Sequence, residues 1–123
     1  MTNNLNIMVV DDSLITHKKL ENMLQSLGHT VVHRCHTGEQ AVEEYDAAQH
    51  DLVTMDITMP DMDGIEATRR LMAADPGVRV IMLSAVGQKE MVMDAIKAGA
   101  IGYVMKPIDP EKLALAIRQA YKK

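Results

Sequence analysis

The chain contains few of the residues that cross-link a small secreted protein or stack on a flat cofactor. It has no Phe, no Trp, three Tyr and one Cys among its 123 residues. The single cysteine, Cys35, excludes an internal disulfide and agrees with a reducing compartment. Three aromatic side chains leave little to stack on a flavin or nucleotide ring. The eleven Met residues instead predict a core filled by flexible thioethers.

Long apolar runs and an excess of basic charge are also missing. No run approaches the roughly 20 apolar residues that a membrane span needs, and the start MTNNLNIMVV lacks the basic region and cleavage site of a secretion signal. Thirteen Lys and Arg against seventeen Asp and Glu give a net charge of −4, which disfavours direct binding of nucleic acid. We therefore expect a cytoplasmic protein without a membrane or nucleic-acid partner, and one domain spanning 1–123.

Cysteine and histidine form no complete metal motif in the sequence. The tract HRCH, residues 33–36, is not accompanied by a second His/Cys cluster. We therefore interpret Cys35 as a small buried hydrophobe and not as a zinc ligand. His17, His29 and His50 are scattered along the chain, and we expect them on the solvated surface.

Short apolar runs alternate with segments of helical period. The runs predict strands at 6–10, 30–35, 52–55, 80–83 and 102–105, and the segment GEQAVEEYDAAQ predicts a helix over 38–49. Four more helices are predicted by apolar stripes: Leu20, Met23, Leu24 and Leu27; Ile65, Thr68, Leu71 and Met72; Val92, Ala95, Ile96 and Gly99; Leu113, Ile117, Ala120 and Tyr121. Five apolar strands alternating with five helices predict a doubly wound α/β fold around a parallel sheet.

Polar side chains follow four of the five predicted strands. Asp11 and Asp12 follow the first, Asp56 the third, Ser84 the fourth and Lys106 the fifth. Because the carboxyl ends of parallel strands lie along one edge, we expect these side chains to face one crevice. An Asp after a strand is often only a helix N-cap. Capping does not explain a lysine at the end of the fifth strand.

The acidic residues at this edge predict a metal site. Two carboxylates about 4 Å apart repel by roughly 4 kcal/mol at an effective dielectric constant near 20, so three together must bind protons or a cation. Oxygen donors without His or thiol favour a hard ion, Mg²⁺ when phosphate is involved, with Mn²⁺ as the alternative. Asp11 and Asp12 are placed to share the ion. Asp56, alone after a central strand, is then the candidate for phosphoryl transfer.

These residues, in this order, resemble the receiver domain of two-component response regulators. The matching features are the acidic pair, MDITMPDMDG around Asp56, SA at 84–85 and KP at 106–107. The resemblance covers the chain from Asn6 to Tyr121. It implies a flavodoxin-like, CheY-like sheet of strand order 2-1-3-4-5. The segments MDITMP and SAVGQKEMVMDAIKAGA are most similar to stand-alone chemotaxis regulators of the CheY type.

The resemblance also implies roles for individual residues. Asp56 would accept a phosphoryl group from a histidine kinase or phosphotransfer protein. Phosphoryl oxygens would be bound by Ser84 and Lys106, and Tyr103 would turn inward as Ser84 moves, which remodels the face formed by the fourth helix, fifth strand and fifth helix. The Lys106–Pro107 peptide bond would be cis. The ligands of Mg²⁺ would be Asp11, Asp12, Asp56 and the backbone carbonyl of Thr58.

Further expectations from the family concern output and signal lifetime. The downstream partner would be a protein such as the flagellar motor switch, and the chain would be a monomer, with a phosphorylation-linked dimer as the alternative. Thr58 and Val86 occupy the two positions that tune hydrolysis of the aspartyl phosphate. Neither brings a charge to orient water.

Three other interpretations stay open at this point. In the first, the chain is the receiver domain of a longer regulator, such as a transcription factor or effector enzyme. A metal-dependent phosphatase of the haloacid dehalogenase type also forms an aspartyl phosphate, but it carries D-x-D after the first strand, where this chain has the adjacent pair DD. A flavodoxin-type carrier needs a first loop rich in Gly, Ser or Thr. The signalling interpretation is that of a non-enzyme with slow autophosphatase activity at most.

Overall fold

The computed structural model describes residues 4–85 and 87–121, which form alternating strands and helices. The elements are β1 (Asn6–Val10), α1 (Leu14–Ser26), β2 (Thr30–Cys35), α2 (Gly38–Glu44), β3 (Leu52–Met55), α3 (Gly64–Ala74), β4 (Val80–Ser84), α4 (Lys89–Ala98), β5 (Gly102–Met105) and α5 (Pro110–Ala120).

The strands form one sheet of order β2-β1-β3-β4-β5, and each neighbouring pair is parallel. The predicted fold class, a doubly wound parallel sheet of order 2-1-3-4-5, is confirmed. All five strands run the same way, so their carboxyl ends lie along one edge. No helix in the described ranges is both long and apolar enough to cross a membrane.

Alternate strand residues supply two cores, one on each face of the sheet. Ile7 and Val9 point to the core that contains the buried side chains of α1 and α5, such as Leu24 and Leu113. Met8 and Val10 point to the opposite core, which contains buried side chains of α2, α3 and α4. We call these the α1/α5 core and the α2/α3/α4 core. The central strands β3 and β4 are buried along their whole length, as the uninterrupted apolar runs predict.

Side-chain caps begin four of the helices that follow strands. Ser13, Thr37, Asp63 and Asp109 each accept a hydrogen bond from a backbone N–H in the first helical turn. Such caps satisfy amide groups that have no partner inside the helix. These four loops at the carboxyl edge of the sheet are therefore held at their helical ends.

Two predicted helical features differ from the structure. The helix predicted over 38–49 ends at Glu44, because Tyr45 has extended backbone angles and the Asp46 side chain accepts the Ala48 amide in a local turn. Asp favours such turns over helix interiors. In α4 the buried residues are Ala95 and Ala98, whereas Ile96 is 53% exposed. The predicted stripe is therefore displaced, and small Ala side chains carry the packing.

The expectation that His17, His29 and His50 lie on the solvated surface is wrong. Their residues are 6%, 7% and 4% exposed. Each ring is hydrogen-bonded to the backbone: His17 Nε2 to the Asp11 carbonyl at 2.6 Å, His29 Nδ1 to the Leu5 amide at 3.2 Å and His50 Nδ1 to the Asp46 amide at 2.9 Å. Such a partner satisfies one nitrogen of each buried ring, whereas His17 Nδ1 is buried without a hydrogen-bond partner among the described residues. Cys35 is buried, as predicted.

Candidate functional site

The ends of four strands hold the predicted site residues in register. The Asp11 amide donates to the Cys35 carbonyl at 3.0 Å, and the Asp56 amide donates to the Val10 carbonyl at 3.0 Å. Farther along the same edge, between β4 and β5, the Lys106 amide donates to the Ser84 carbonyl at 2.9 Å. The parallel ladder therefore continues one residue past β1, β3 and β5. This continuation fixes the backbone from which the Asp11, Asp56 and Lys106 side chains project.

Three carboxylates meet at this edge. Asp11, Asp12 and Asp56 each offer an oxygen, and these oxygens lie within 4.8 Å of one another. Asp11 and Asp56 are buried, and Asp12 is exposed. Burial and the neighbouring Asp11 charge raise the pKa of Asp56 above its ordinary value, although Lys106 acts in the opposite direction. The three acidic side chains therefore form a cluster whose negative charge is not fully compensated.

Lys106 connects the fifth strand to this cluster. Its Nζ lies 2.9 Å from Asp11 Oδ2 and 3.5 Å from Asp56 Oδ1. Burial alone lowers the pKa of Lys106, but the hydrogen bond to Asp11 and the charges of both carboxylates outweigh burial and raise the pKa. The ammonium therefore stays charged at neutral pH. Three carboxylates and one ammonium leave a formal charge of −2, which a divalent cation would neutralise.

The donor set fits a hard divalent cation. The acidic cluster offers oxygen atoms only, and one of the three carboxylates is open to solvent, so an ion could retain several waters as Mg²⁺ does. Thr58, whose carbonyl the family resemblance adds to the ligands, is exposed in the loop two residues after Asp56. Asp11, Asp12 and Asp56 are therefore the residues that could hold the metal.

The remaining predicted residues lie on β4, β5 and the loops that follow. Ser84 is the fully buried last residue of β4 and pairs in register with Met105 of β5. Tyr103 is half-buried and packs against the α2/α3/α4 core. The Lys106–Pro107 peptide bond is cis. Val86, named for its expected influence on hydrolysis, lies outside the described residues.

Gly64 is required by a close approach of two backbone segments. A Cβ at this position would lie 2.1 Å from the Asp56 carbonyl oxygen and 2.9 Å from Met55 Cγ. The Gly64 amide also donates to the Ile57 carbonyl at 2.8 Å. The absence of a side chain therefore lets α3 begin directly beneath the loop that carries Asp56. The sequence motif indicates a turn here but not this contact.

His17 is a site residue that sequence reasoning missed. Its Nε2 donates to the carbonyl of Asp11 at 2.6 Å and lies 3.1 Å from the Cys35 carbonyl, so the ring holds the loop after β1 against the end of β2. The sequence does contain an indication. His17 shares the helical stripe of Leu20 and Leu24, which are both buried, and a residue on that stripe faces the protein interior.

Comparison with known proteins gives the class of this protein. Residues 7–118 match the model of the response regulator receiver domain. The chain is 42% identical over 118 residues to the chemotaxis protein CheY of Listeria monocytogenes, which covers 96% of this chain and 99% of the relative. This chain belongs to the receiver domain family of two-component response regulators, and the recognition made from the sequence is confirmed.

Solved structures place the chain close to CheY within that family. The CheY of the CheX-CheY-BeF₃-Mg²⁺ complex from Borrelia burgdorferi superposes with a TM-score of 0.93 at 36% identity, covering 98% of this chain and 92% of that one. The response regulator domain of Thermotoga maritima CheB superposes with a TM-score of 0.86 at 30% identity, covering 98% and 99%. The family is one of signalling domains, and its CheY members act in chemotaxis.

Proposed function

We propose that Asp56 is the phosphoacceptor of a CheY-like chemotaxis regulator and that phosphorylation of this residue controls binding to a partner protein. The observation that carries the proposal is the geometry of the acidic cluster: a buried Asp56 within 4.8 Å of two further carboxylates and 3.5 Å from the Lys106 ammonium. Receiver-family membership and the similarity to CheY support the signalling role.

The transfer forms one bond and breaks another. A carboxylate oxygen of Asp56 attacks the phosphorus of a phosphohistidine on a histidine kinase or phosphotransfer protein. As the new P–O bond forms, the P–N bond breaks, and its electron pair returns to the donor imidazole, which then takes up a proton. Catalysis of such a transfer depends chiefly on positioning and on charges near the phosphoryl oxygens.

Each neighbouring side chain has a defined task in this proposal. Lys106 shifts from the carboxylates to a phosphoryl oxygen, and Ser84 donates its hydroxyl to another. Asp11 and Asp12, with Asp56 and the Thr58 carbonyl, would hold Mg²⁺. When bound, Mg²⁺ supplies charge neutralisation for the carboxylates and the phosphoryl group. The Borrelia complex, whose name includes both BeF₃ and Mg²⁺, supports the choice of Mg²⁺ by similarity. Mn²⁺ is the alternative ion.

The output follows from a local gain of negative charge. Movement of Ser84 and rotation of Tyr103 would change the surface formed by α4, β5 and α5. The partner is a protein, with the flagellar motor switch as the candidate in a chemotaxis system. The named partner of the Borrelia relative is CheX. The second candidate is a receiver domain within a longer regulator, which the match to the response regulator domain of CheB favours.

The experiment is an intact-mass measurement after incubation with Mg²⁺ and acetyl phosphate. We expect one added phosphoryl group on the wild-type protein and none on Asp56→Asn or in EDTA. Asp63→Asn is the matched control, because Asp63 caps α3 on the same loop and Asn caps equally well. It should be phosphorylated like the wild type.

Two results would contradict the proposal. One is the absence of an adduct under conditions in which Mg²⁺ demonstrably binds the wild-type protein. The other is an adduct that persists in Asp56→Asn, which would place the acceptor elsewhere. Steady hydrolysis of a phosphomonoester such as p-nitrophenyl phosphate would favour the phosphatase interpretation, and we expect none.

A further inference from the structure

A second cluster of metal-ligating side chains lies between strand β2 and the end of helix α2. His33, Cys35 and Glu44 each offer one ligand atom, and these three atoms lie within 4.8 Å of one another. The residues belong neither to the acidic cluster nor to the loops after β3, β4 and β5. The phosphoacceptor chemistry proposed above assigns them no task.

An irregularity in the sheet brings the three side chains to the same face. The β1–β2 pairing shifts register between Ile7 and Met8, so that Ile7 lies opposite Val31 while Met8 lies opposite His33. Past this shift, His33 and Cys35 are two residues apart in β2 and share the face that α2 covers. Glu44 is the last residue of α2. Its carboxylate reaches β2, where Oε1 accepts a hydrogen bond from His33 Nε2.

Imidazole, thiolate and carboxylate together are donors that Zn²⁺ binds, in contrast to the oxygen-only acidic cluster. A neutral imidazole, one thiolate and one carboxylate carry a charge of −2, which such an ion neutralises. In contrast to the interpretation of Cys35 from the sequence alone, we propose that His33, Cys35 and Glu44 form a binding site for a divalent transition-metal ion of the Zn²⁺ class, separate from the acidic cluster that contains Asp56.

The hydrogen bonds of these side chains indicate where the ion would be held. His33 Nε2 donates to Glu44 Oε1 at 2.5 Å, and His33 Nδ1 lies 3.2 Å from His50 Nε2. The ion takes the position of the proton between His33 and Glu44. Since His50 Nδ1 accepts the Asp46 amide, the His50 proton is on Nε2, which donates to His33 Nδ1. A partner on the second ring nitrogen is typical of metal-binding histidines.

Binding moves three protons. The Cys35 thiol releases its proton to solvent, and the sulfur lone pair is donated to the ion. The His33 proton moves from Nε2 to Nδ1, where His50 Nε2 accepts it. The His50 proton moves from Nε2 to Nδ1 of the same ring, and the hydrogen bond from the Asp46 amide is given up. No oxidant or reductant is needed.

An ion can reach the site from one side. The Cys35 sulfur forms the buried floor, whereas the side chains of His33 and Glu44 are 26% and 41% exposed. The rim is therefore open to water at the carboxylate, and water can complete the coordination. A site that keeps one open position is common for Zn²⁺ bound by three protein ligands.

Cobalt(II) absorption spectroscopy tests the proposal. The protein, freed of metals by chelation, is titrated with Co²⁺ in excess Mg²⁺, which occupies the acidic cluster and avoids thiolates. We expect a thiolate-to-cobalt charge-transfer band that saturates at one equivalent and disappears when Zn²⁺ is added. The band should be lost in Cys35→Ser and His33→Gln. Glu44→Gln should shift the titration to higher Co²⁺ concentration.

His36→Gln is the matched control, because this exposed histidine neighbours Cys35 in sequence but does not belong to the cluster. It should keep the band, and Asp56→Asn should keep it too. Because the two sites are tested by different variants, absence of the cobalt site would not contradict the phosphoacceptor proposal. The absence of the band in the wild-type protein, or its persistence in Cys35→Ser, would overturn the inference. If Cys35→Ser does not fold by circular dichroism, His33→Gln and Glu44→Gln, whose side chains are partly exposed, decide the outcome.

Discussion

The acidic cluster holds carboxylates in positions where burial and neighbouring negative charge disfavour their ionised form. Asp56 is 6% exposed and Asp11 is 2% exposed, yet both lie near a third carboxylate and share one lysine. An unprotonated carboxylate in such surroundings costs stability unless a cation is present. The carboxylates that enable the cluster to bind a cation therefore lower the stability of the protein when no cation is bound.

Asp56→Asn tests this opposition. The pKa of Asp56 is raised above its ordinary 3.8, so its contribution to stability is present below pH 3.8 and is lost as pH rises through the higher folded-state pKa. At pH 7 the charged form is a net cost. We expect Asp56→Asn to increase the free energy of unfolding by on the order of 1 kcal/mol in EDTA. Urea unfolding measures this difference, and saturating Mg²⁺ should reduce it. A destabilised variant in EDTA would contradict the argument.

Gly64 gives a prediction based on space alone. Gly64→Ala places a methyl group 2.1 Å from the Asp56 carbonyl oxygen, so the backbone of the site must move. We expect a loss of roughly 2 kcal/mol or more in urea unfolding and weaker Mg²⁺ binding. Gly77→Ala is the control, because the nearest atom to its new methyl group is Asp75 Oδ1 at 3.4 Å. Equal behaviour of the two variants would show that the close approach is unimportant.

At the scale of elements, the ends of helices α2 and α3 are joined by one side-chain contact. Tyr45 directly follows α2, and Asp75 directly follows α3. The Tyr45 hydroxyl donates to Asp75 Oδ2 at 2.8 Å. Burial and the hydrogen bond to the Asp75 carboxylate raise the pKa of Tyr45 above its ordinary value of 10. The contact therefore holds the shortened α2 in place and keeps the phenol protonated in the folded state.

Tyr45→Phe should remove this tie between helices. We expect a loss of about 1 kcal/mol at pH 7, the usual contribution of one hydrogen bond. Because the raised pKa stabilises the folded wild type below pH 10, that part of its stability is lost as pH rises above 10. The variant should show a shallower alkaline loss than the wild type. Thermal unfolding from pH 8 to 11 measures both effects, and identical slopes would refute the assignment.

At the scale of the whole molecule, two cores of different composition share one sheet. The α2/α3/α4 core contains the buried methionines Met8, Met55, Met59, Met62 and Met82. In the α1/α5 core, the fully buried side chains of the described residues are branched aliphatic ones such as Ile7, Leu24 and Leu113. Thioethers therefore replace the missing Phe and Trp mainly on one face, where they adapt to the packing of three helices.

The shared sheet predicts a single cooperative transition. Leu24→Ala in the α1/α5 core and Leu71→Ala in the α2/α3/α4 core should each cost about 2–5 kcal/mol, since both side chains are fully buried. In each variant, tyrosine fluorescence and far-ultraviolet circular dichroism should report the same urea midpoint. Separate midpoints for the two probes would mean that the faces unfold independently, contrary to the expectation of one domain over 1–123.

The sequence by itself determined the class of fold and the residues of the acidic cluster. Strand runs are short-range patterns, and the polar residue that ends each run is visible without coordinates. The end of α2 at Glu44 was less accessible, because Ala47 and Ala48 extend a helical composition that a local Asp46 turn overrides. The sequence likewise did not indicate that Ile96 is exposed while Ala95 is buried, because this depends on which side of α4 packs against the rest of the protein.

Contacts between distant residues were decided only by the tertiary structure. The burial of His17, the approach of Gly64 to the Asp56 carbonyl and the meeting of His33, Cys35 and Glu44 all join separate elements. Local propensity and periodicity describe neighbours along the chain, whereas these contacts depend on the register of β2 against β1 and on where α2 ends. A one-residue change in strand register turns a side chain to the opposite face, so no local pattern specifies which of these groups meet.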